Sequence, residues 1–307
     1  MRSKYYINTN NNQYTLTSDS FSLYQAGPIP DDFKFSSLNF AAAIHIFYPD
    51  LTEEMIKFLG NIPREVKLKV LITTDTKSKK SIIENKMKKH HFDYQIKLFK
   101  NIGRDIAPSF IGFKNEILES DYFIHLHTKK SLYNPELNKW REDILNKLLG
   151  GNGIAKSNLD LLASSDIGMI APEPPEFIKP HINWGTESDF IYCQNLLSRS
   201  GIGLSKFNPL YFPAGSMFIA KTEVIKPLLN TISIDDFQEE KGQISGTMAH
   251  AIERSFLFYC EKAKLKWLVV DINQDGQPEY LLPEFRLIKK RPITYFRLNL
   301  KAKVNNG

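Results

Sequence analysis

Apolar and polar positions along the chain alternate between two periods. The run FAAAIHIFY (40–48) is almost wholly apolar and reads as a buried strand, while LTEEMIKFLGNIP after it carries its apolar residues at helical spacing, with Thr52 as the expected cap. KLKVLITTDT predicts a second strand and KSKKSIIENKMKKH a very basic helix, read as a solvated face. YQIKLF (94–99) and DYFIHLH (121–127) are two further strands with a short amphipathic helix between them. Downstream, NKWREDILNKLLGG is a helix stopped by Gly150 and Gly151, residues 153–164 make another, and DIGMIAP (166–172) is a short strand. Residues 217–220 continue as a strand and residues 247–259 as a helix with apolar positions on one side. Such alternation predicts an α/β fold with parallel strands and right-handed crossovers. In such a sheet ligands are met outside the carboxyl ends of the strands.

Two strand ends lie close together in residues 99–131, which makes that stretch the expected site. Gly103 permits a tight turn, and Arg104 and Asp105 follow it with a fork of donors and a carboxylate acceptor. The pair suits a nucleoside diphosphate, the guanidinium on phosphate and the carboxylate on a ribose or base; an Arg-Asp ion pair or a helix cap before Ile106 and Pro108 explains it equally well. On the second strand His125 and His127 share one face, and Thr128, Lys129, Lys130 and Ser131 concentrate charge and hydroxyls just beyond it. The two imidazoles read as metal ligands, as phosphate donors or as packed aromatics. Lys and His in that loop also stabilise a departing diphosphate without a cation. His45 and Asp75 fall near the first two strand ends, with a core histidine and a turn residue as the plainer readings.

The second half contributes candidates for an acceptor side. EPPEFIKPHINWGTES is a turn-rich, aromatic loop in which Trp184 either stacks on a sugar or anchors the loop from beneath. Ala214 and Gly215 allow close backbone approach before the strand that starts at Met217. Glu239 and Glu240 precede a loop bracketed by Gly242 and Gly246, and His250 and Glu253 lie one helical turn apart. Glu240 is the preferred base for an acceptor hydroxyl; acidic residues favouring the helix dipole are the alternative.

Composition narrows the partners. The 307 residues carry a net charge of +6, which favours anionic ligands, and 42% hydrophobic content supports a sizeable core. Cys193 and Cys260 lack metal or CxxC spacing and read as buried free thiols in a reducing compartment. No apolar run of about eighteen residues occurs and the N-terminal stretch lacks a signal-peptide core, so a cytoplasmic protein is expected. Residues 1–37 read as a polar, loosely attached arm, 38–285 as the main domain and 286–307 as a basic, aromatic tail suited to an anionic membrane surface. No RNP, zinc-finger or helix-turn-helix pattern supports a nucleic-acid partner.

NIGRDIAP, HLHTKKS, FPAGSMF and FQEEKGQISGTMAHAIER, in that order, resemble the motifs of the rhamnan synthesis F family, glycosyltransferase-like proteins of bacterial surface polysaccharide assembly. The resemblance implies a GT-A-like fold, a mostly parallel sheet flanked by helices. It further implies transfer of rhamnose or another hexose from a nucleotide-sugar donor to a glycan or lipid-linked glycan. On that reading Tyr48, Thr74, Asn101, Gly103, Arg104, Asp105, His125, Lys130 and Gly215 meet the donor, and His127 and Lys129 stabilise the leaving diphosphate. Glu240 deprotonates the acceptor in an inverting displacement, with Trp184, Met217, His250 and Glu253 on the acceptor side. Two departures stand out. Where GT-A enzymes commonly carry Asp-x-Asp, this chain has His125 and His127, which leaves a divalent cation (Mn²⁺ or Mg²⁺) open with those histidines as candidate ligands; and Ser245 replaces an aspartate expected before Gly-Thr. Those departures favour the alternatives of a catalytically inactive sugar-binding or scaffold domain; a retaining transferase is the nearer rival.

Overall fold

The computed structural model describes residues 5–8, 13–16, 20–29, 35–128, 130, 135–151, 153–206 and 208–287. Lys129, Ser131 and all but the first two residues of the basic tail lie outside them. Two N-terminal strands, β1 (Tyr5–Asn8) and β2 (Gln13–Leu16), form a separate antiparallel ribbon. The rest of the chain builds a nine-stranded sheet flanked by helices, which bears out the α/β, mostly parallel expectation. In chain order its first half comprises β3 (Phe21–Leu23), β4 (Asn39–His45), α1 (Thr52–Leu59), β5 (Lys67–Thr74), α2 (Lys77–Met87), β6 (Asp93–Leu98), α3 (Ile106–Phe110), α4 (Lys114–Leu118) and β7 (Tyr122–His127). The second half adds α5 (Pro135–Leu149), α6 (Ile154–Ser164), β8 (Ile167–Pro172), α7 (Glu187–Arg199), β9 (Phe218–Lys221), α8 (Thr222–Thr231), α9 (Met248–Lys262), β10 (Lys266–Ile272) and β11 (Pro278–Pro283).

Strand order in the large sheet is β3-β11-β10-β8-β9-β7-β4-β5-β6. Only β9 and β11 run against their neighbours. The burial pattern explains the sequence pattern. β7 and β8 are buried at every position and β4 at every position after its first, because helices cover both faces; hence their unbroken apolar runs. At the edge, β6 is buried only in part, which matches its alternating sequence.

The reversed strand β9 brings the two halves of the chain together. It lies between β7 and β8, with Phe218 opposite His125, so the turn that leads into it arrives beside the carboxyl end of β7. Beneath that junction Phe110 is fully buried, edge-on to Phe123 (5.3 Å between ring centroids) and His125 (5.0 Å), and stacked on Phe256 (5.7 Å).

Two local expectations change. Phe21–Leu23 is not a loose arm but an edge strand paired to β11, because Phe21 has rings to pack against in Tyr211 (5.3 Å) and Phe285 (5.8 Å). Thr52 begins α1 without capping it, since its hydroxyl donates to the Pro49 carbonyl at 2.7 Å and closes the preceding turn. Among the described residues no helix is long and apolar enough to cross a membrane.

Phe110→Ala removes the ring that supports His125 and joins β7 to α9. It is expected to cost about 3–5 kcal/mol of stability in urea unfolding; a loss under about 1 kcal/mol would contradict this account of the packing.

Candidate functional site

The parallel strands deliver their carboxyl ends to one place, and a cavity of about 680 Å³ opens there. One wall comes from the strand ends and the turn after β6: His45, Tyr48, Asn101, Arg104, Asp105 and His127. Lys130 and Thr128 close it at the end of β7, while Gly215, Ser216 and Phe212 come from the turn before β9. The second wall is Glu240 with the start of α9, where Ala249, His250, Glu253 and Arg254 face inward.

The turn before β9 organises the floor. Gly215 (φ 87°) and Ser216 (φ 61°) are both left-handed, and this pair of conformations directs two successive carbonyls at the strand-end imidazoles. His127 Nε2 lies 2.7 Å from the Gly215 carbonyl and His125 Nδ1 lies 2.5 Å from that of Ser216. A carbonyl only accepts, so each of those nitrogens carries its hydrogen. Glu253 holds the same turn from the other side, Oε1 accepting from the Gly215 amide at 2.8 Å.

Asp105 sits against these rings, Oδ2 3.8 Å from His125 Nε2 and 3.9 Å from His127 Nε2. Burial pushes its carboxyl up, but His127, His125, its own backbone amide and His45 outweigh that and hold it below the usual carboxylate range. Burial lowers His125 and His45 to about 4, Asp105 only partly opposing it. At neutral pH the local charge is therefore an ionised carboxylate beside uncharged His45 and His125. Asp105 Oδ2 and His125 Nε2 are both buried without a hydrogen-bond partner. That is an acceptor oxygen waiting for a donor.

Arg104 is held in a strained conformation, φ 56°, directly after Gly103 at φ 68°. A Cβ on Gly103 would press into the Phe237 ring and lie 2.6 Å from Ala107 Cβ, so glycine is required there. The partners of Arg104 lie across the cavity rather than next door. Its amide donates to Glu240 Oε1 at 3.0 Å, Nε stands 3.9 Å from Glu240 Oε2, and Nη2 donates to the Gln243 carbonyl. Glu240, expected as a base, thus braces Arg104. The helix-cap reading of Arg104-Asp105 does not apply, because the Asp105 side chain makes no cap bond to α3, and the ion pair Arg104 forms is with Glu240.

The other expected residues divide. His125 lies beneath the cavity, fully buried, and Thr74 is buried at the end of β5, outside its wall. Trp184 (8% exposed) is edge-on to Phe190 and stacked on Phe258, so it anchors the loop and does not meet a sugar. Met217 is fully buried, because its backbone reverses into β9 and carries the side chain into the core. Neither lines the cavity. One nitrogen of each of His125 and His127 is given to a carbonyl, which leaves only His125 Nε2 and His127 Nδ1 for any cation. Among the described residues no group of three His, Cys, Asp or Glu side chains is placed to hold a metal ion. Burial pushes the Cys193 and Cys260 thiols up, as expected of inert core residues.

The pattern of the family described as rhamnan synthesis protein F matches residues 15–265. The chain belongs to that family. It is also 32% identical over 214 residues to "Uncharacterized protein WxcX" of Xanthomonas campestris pv. campestris, an alignment that covers 69% of this chain and 30% of WxcX. The chain therefore spans under a third of the length of that relative. Among solved structures, mannosyl-3-phosphoglycerate synthase from Rubrobacter xylanophilus aligns at a TM-score of 0.31 with 10% identity, covering 84% of this chain and 92% of that one. Core-mannan synthase A from Aspergillus fumigatus, in its Mn/GDP form, aligns at a TM-score of 0.34 with 10% identity, covering 85% and 84%. Both likenesses are too distant to carry a functional conclusion.

Membership of the rhamnan synthesis F family accounts for the order of the motifs, and the structure shows what surrounds the Ser245 departure. The Ser245 hydroxyl, where an aspartate is expected, donates to Asp189, whose other oxygen accepts from the Gly246 amide at 2.7 Å. A carboxylate thus reaches this turn from α7. Asp189 also closes a capping box with Thr186, a signal carried by TESD within a stretch that otherwise reads as loop. Thr128 has a structural role that its place in a basic loop does not announce. Its hydroxyl accepts from the amides of Phe47 (2.9 Å) and Tyr48 (3.1 Å), which fixes the loop after β4 over the cavity.

If Glu240 is a brace, its carbonyl-like oxygen matters more than its charge. E240Q, which still accepts from the Arg104 amide, is expected to keep ligand-induced thermal stabilisation, whereas E240A loses most of it and about 1–3 kcal/mol of stability as a buried amide goes unpaired; equal behaviour of the two variants contradicts the brace. Stability should also follow the histidines. His45, His125 and His250 are all lowered to about 4, so the neutral forms their burial favours stabilise the fold fully above about pH 6.5. That contribution is lost as pH falls from there through about 4, with a slope approaching about 1.4 kcal/mol per pH unit for each histidine. Urea unfolding at pH 7, 5.5 and 4.5 reads it, and a flat profile would refute the assignment.

Proposed function

We propose that this chain transfers a hexosyl group, rhamnose or another hexose, from a nucleoside-diphosphate sugar to a hydroxyl of a surface glycan or lipid-linked glycan, by a single inverting displacement. The observation that carries the reading is the cavity itself. A fixed guanidinium and an ionised carboxylate with one unpartnered oxygen share a wall of a cavity of about 680 Å³ at the ends of parallel strands, in a chain of a glycosyltransferase-like family.

In this reading Arg104 and Lys130 lie along the diphosphate and Asp105 Oδ2 accepts from a hydroxyl of the donor. Tyr48 and Asn101 border the nucleotide. As the bond between the anomeric carbon and the diphosphate oxygen breaks, its electron pair stays on the phosphate, where Arg104 and His127 stabilise the added charge, a role the sequence also assigns to Lys129. The acceptor oxygen forms the new bond from the opposite face. The described donor set does not fit a cation held by protein alone, so no step is routed through a metal. Contact of the basic residues 286–307 with anionic lipid belongs to the same proposal.

A scaffold reading has one observation in its favour: both cations are already engaged, Arg104 on the Gln243 carbonyl and Lys130 on Asp50 Oδ2 at 2.6 Å. A thermal-shift screen of UDP, GDP, dTDP and CMP sugars, with and without Mn²⁺, separates the two when paired with assay of nucleotide release. The transferase reading expects one nucleotide family to raise Tm by a few degrees in wild type and not in R104A, and that donor to be slowly hydrolysed. Binding without any release supports the scaffold. No shift with any nucleotide sugar removes both.

A further inference from the structure

The acceptor's proton needs a destination, and the structure has occupied most of the obvious ones. Glu240 accepts from the Arg104 amide, Glu253 Oε1 from the Gly215 amide, and His127 Nε2 donates to the Gly215 carbonyl. Asp105 belongs to the strand-end wall, next to the guanidinium that the diphosphate would meet. On the facing wall, His250 is different. It is 7% exposed and lines the cavity from the first turn of α9. Its Nδ1 lies 2.8 Å from Thr247 Oγ1, while Nε2 is buried without any hydrogen-bond partner. Thr247 is the residue before α9, and its hydroxyl makes no capping bond to the helix amides. A side chain that ordinarily caps is committed to a ring instead.

We infer that His250, oriented by Thr247, is the base that takes the proton from the attacking hydroxyl. With Nδ1–H donating to Thr247, Nε2 is left as a lone-pair acceptor on a ring that lines the cavity. The proton passes from the acceptor oxygen to Nε2 as that oxygen bonds the anomeric carbon; the diphosphate leaves with the electron pair, and the imidazolium later returns its proton to solvent. The surrounding charges fit this role. Burial first, then Arg104, lower the ring; Asp189 opposes, Arg254 lowers and Asp105 raises it, with a result of about 4. The imidazole is thus neutral and available at any physiological pH, a base of carboxylate strength. A bound diphosphate would offset the Arg104 and Arg254 charges and raise its basicity as the substrate arrives.

This rests on the glycosyl-transfer reading, and the test keeps the two apart. Donor hydrolysis is measured with the nucleotide sugar that wild type accepts, alongside the melting shift given by the matching nucleoside diphosphate. H250Q is expected to lose about 10²–10⁴-fold in kcat while retaining that shift. T247V, which keeps the imidazole but frees its orientation, should lower kcat and leave KM unchanged, and it decides the matter if H250Q does not melt cooperatively. Added imidazole should restore part of the turnover of H250A. Turnover by H250Q within about threefold of wild type overturns the inference alone. So does a lost nucleotide shift with kcat preserved, which would make His250 a phosphate donor. Absence of hydrolysis by wild type with every donor overturns the transfer reading itself, and this inference with it.

Discussion

Two carbonyls directed at two imidazoles hold this site together. They get there because β9 runs backwards into the gap between β7 and β8, which places the Gly215-Ser216 turn over the ends of strands that arrived from the other half of the chain. Without that reversal His125 and His127 would end a parallel strand in solvent with no partner for their N–H groups. With it, each ring carries a hydrogen on the nitrogen that meets a carbonyl, and both Nε2 atoms stand within 4 Å of Asp105 Oδ2. Glu253 secures the arrangement from α9 by binding the Gly215 amide, so a single turn joins the strand wall to the helix wall.

The electrostatic consequence is an asymmetry between the walls. On the strand side stands a carboxylate whose Oδ2 has no donor, beside the Arg104 guanidinium that Glu240 braces; facing them is Arg254, which donates to the His250 and Asn183 carbonyls. Burial suppresses charge on His45, His125 and His250, and the cavity's described lining includes the permanent charges of Arg104 and Arg254 together with Lys130. Such a field attracts a polyanion that also carries hydroxyl groups. On the proposed reading, a sugar joined to a pyrophosphate would answer both demands with one ligand.

How much of this was readable in the residues depends on how far each contact reaches. Strand ends carrying Tyr48, Asn101, Arg104, Asp105 and His127 were legible because apolar runs locate strands and topology then locates ligands. The helix pairing of His250 with Glu253 was legible from spacing alone. Illegible were the roles that depend on partners more than a hundred residues away, above all Glu240 across from Arg104. A carboxylate placed to act as a base and one placed to hold an amide look the same in sequence. Trp184 was left between two readings for the opposite reason: an aromatic in a polar loop exposes nothing of whether Phe190 and Phe258 await it underneath. The direction of β9 was also hidden, since four residues carry no polarity in their composition.

The turn at Arg104 and the loop facing it are best understood as one unit. Glu239 forms an isolated bridge with Ile102, Glu240 takes the Arg104 amide, and the Gln243 carbonyl takes its guanidinium. The same loop continues through Ser245 and Gly246, both bound to Asp189, into Thr247 and α9. A left-handed arginine is costly by itself, on the order of 1 kcal/mol, and persists only where its surroundings over-determine it. Here that determination comes from a segment whose far end also sets the position of His250. An anion that draws the guanidinium from the Gln243 carbonyl would therefore act on the segment leading to α9, linking occupation of the strand wall to the geometry of the helix wall through covalent chain and not through space.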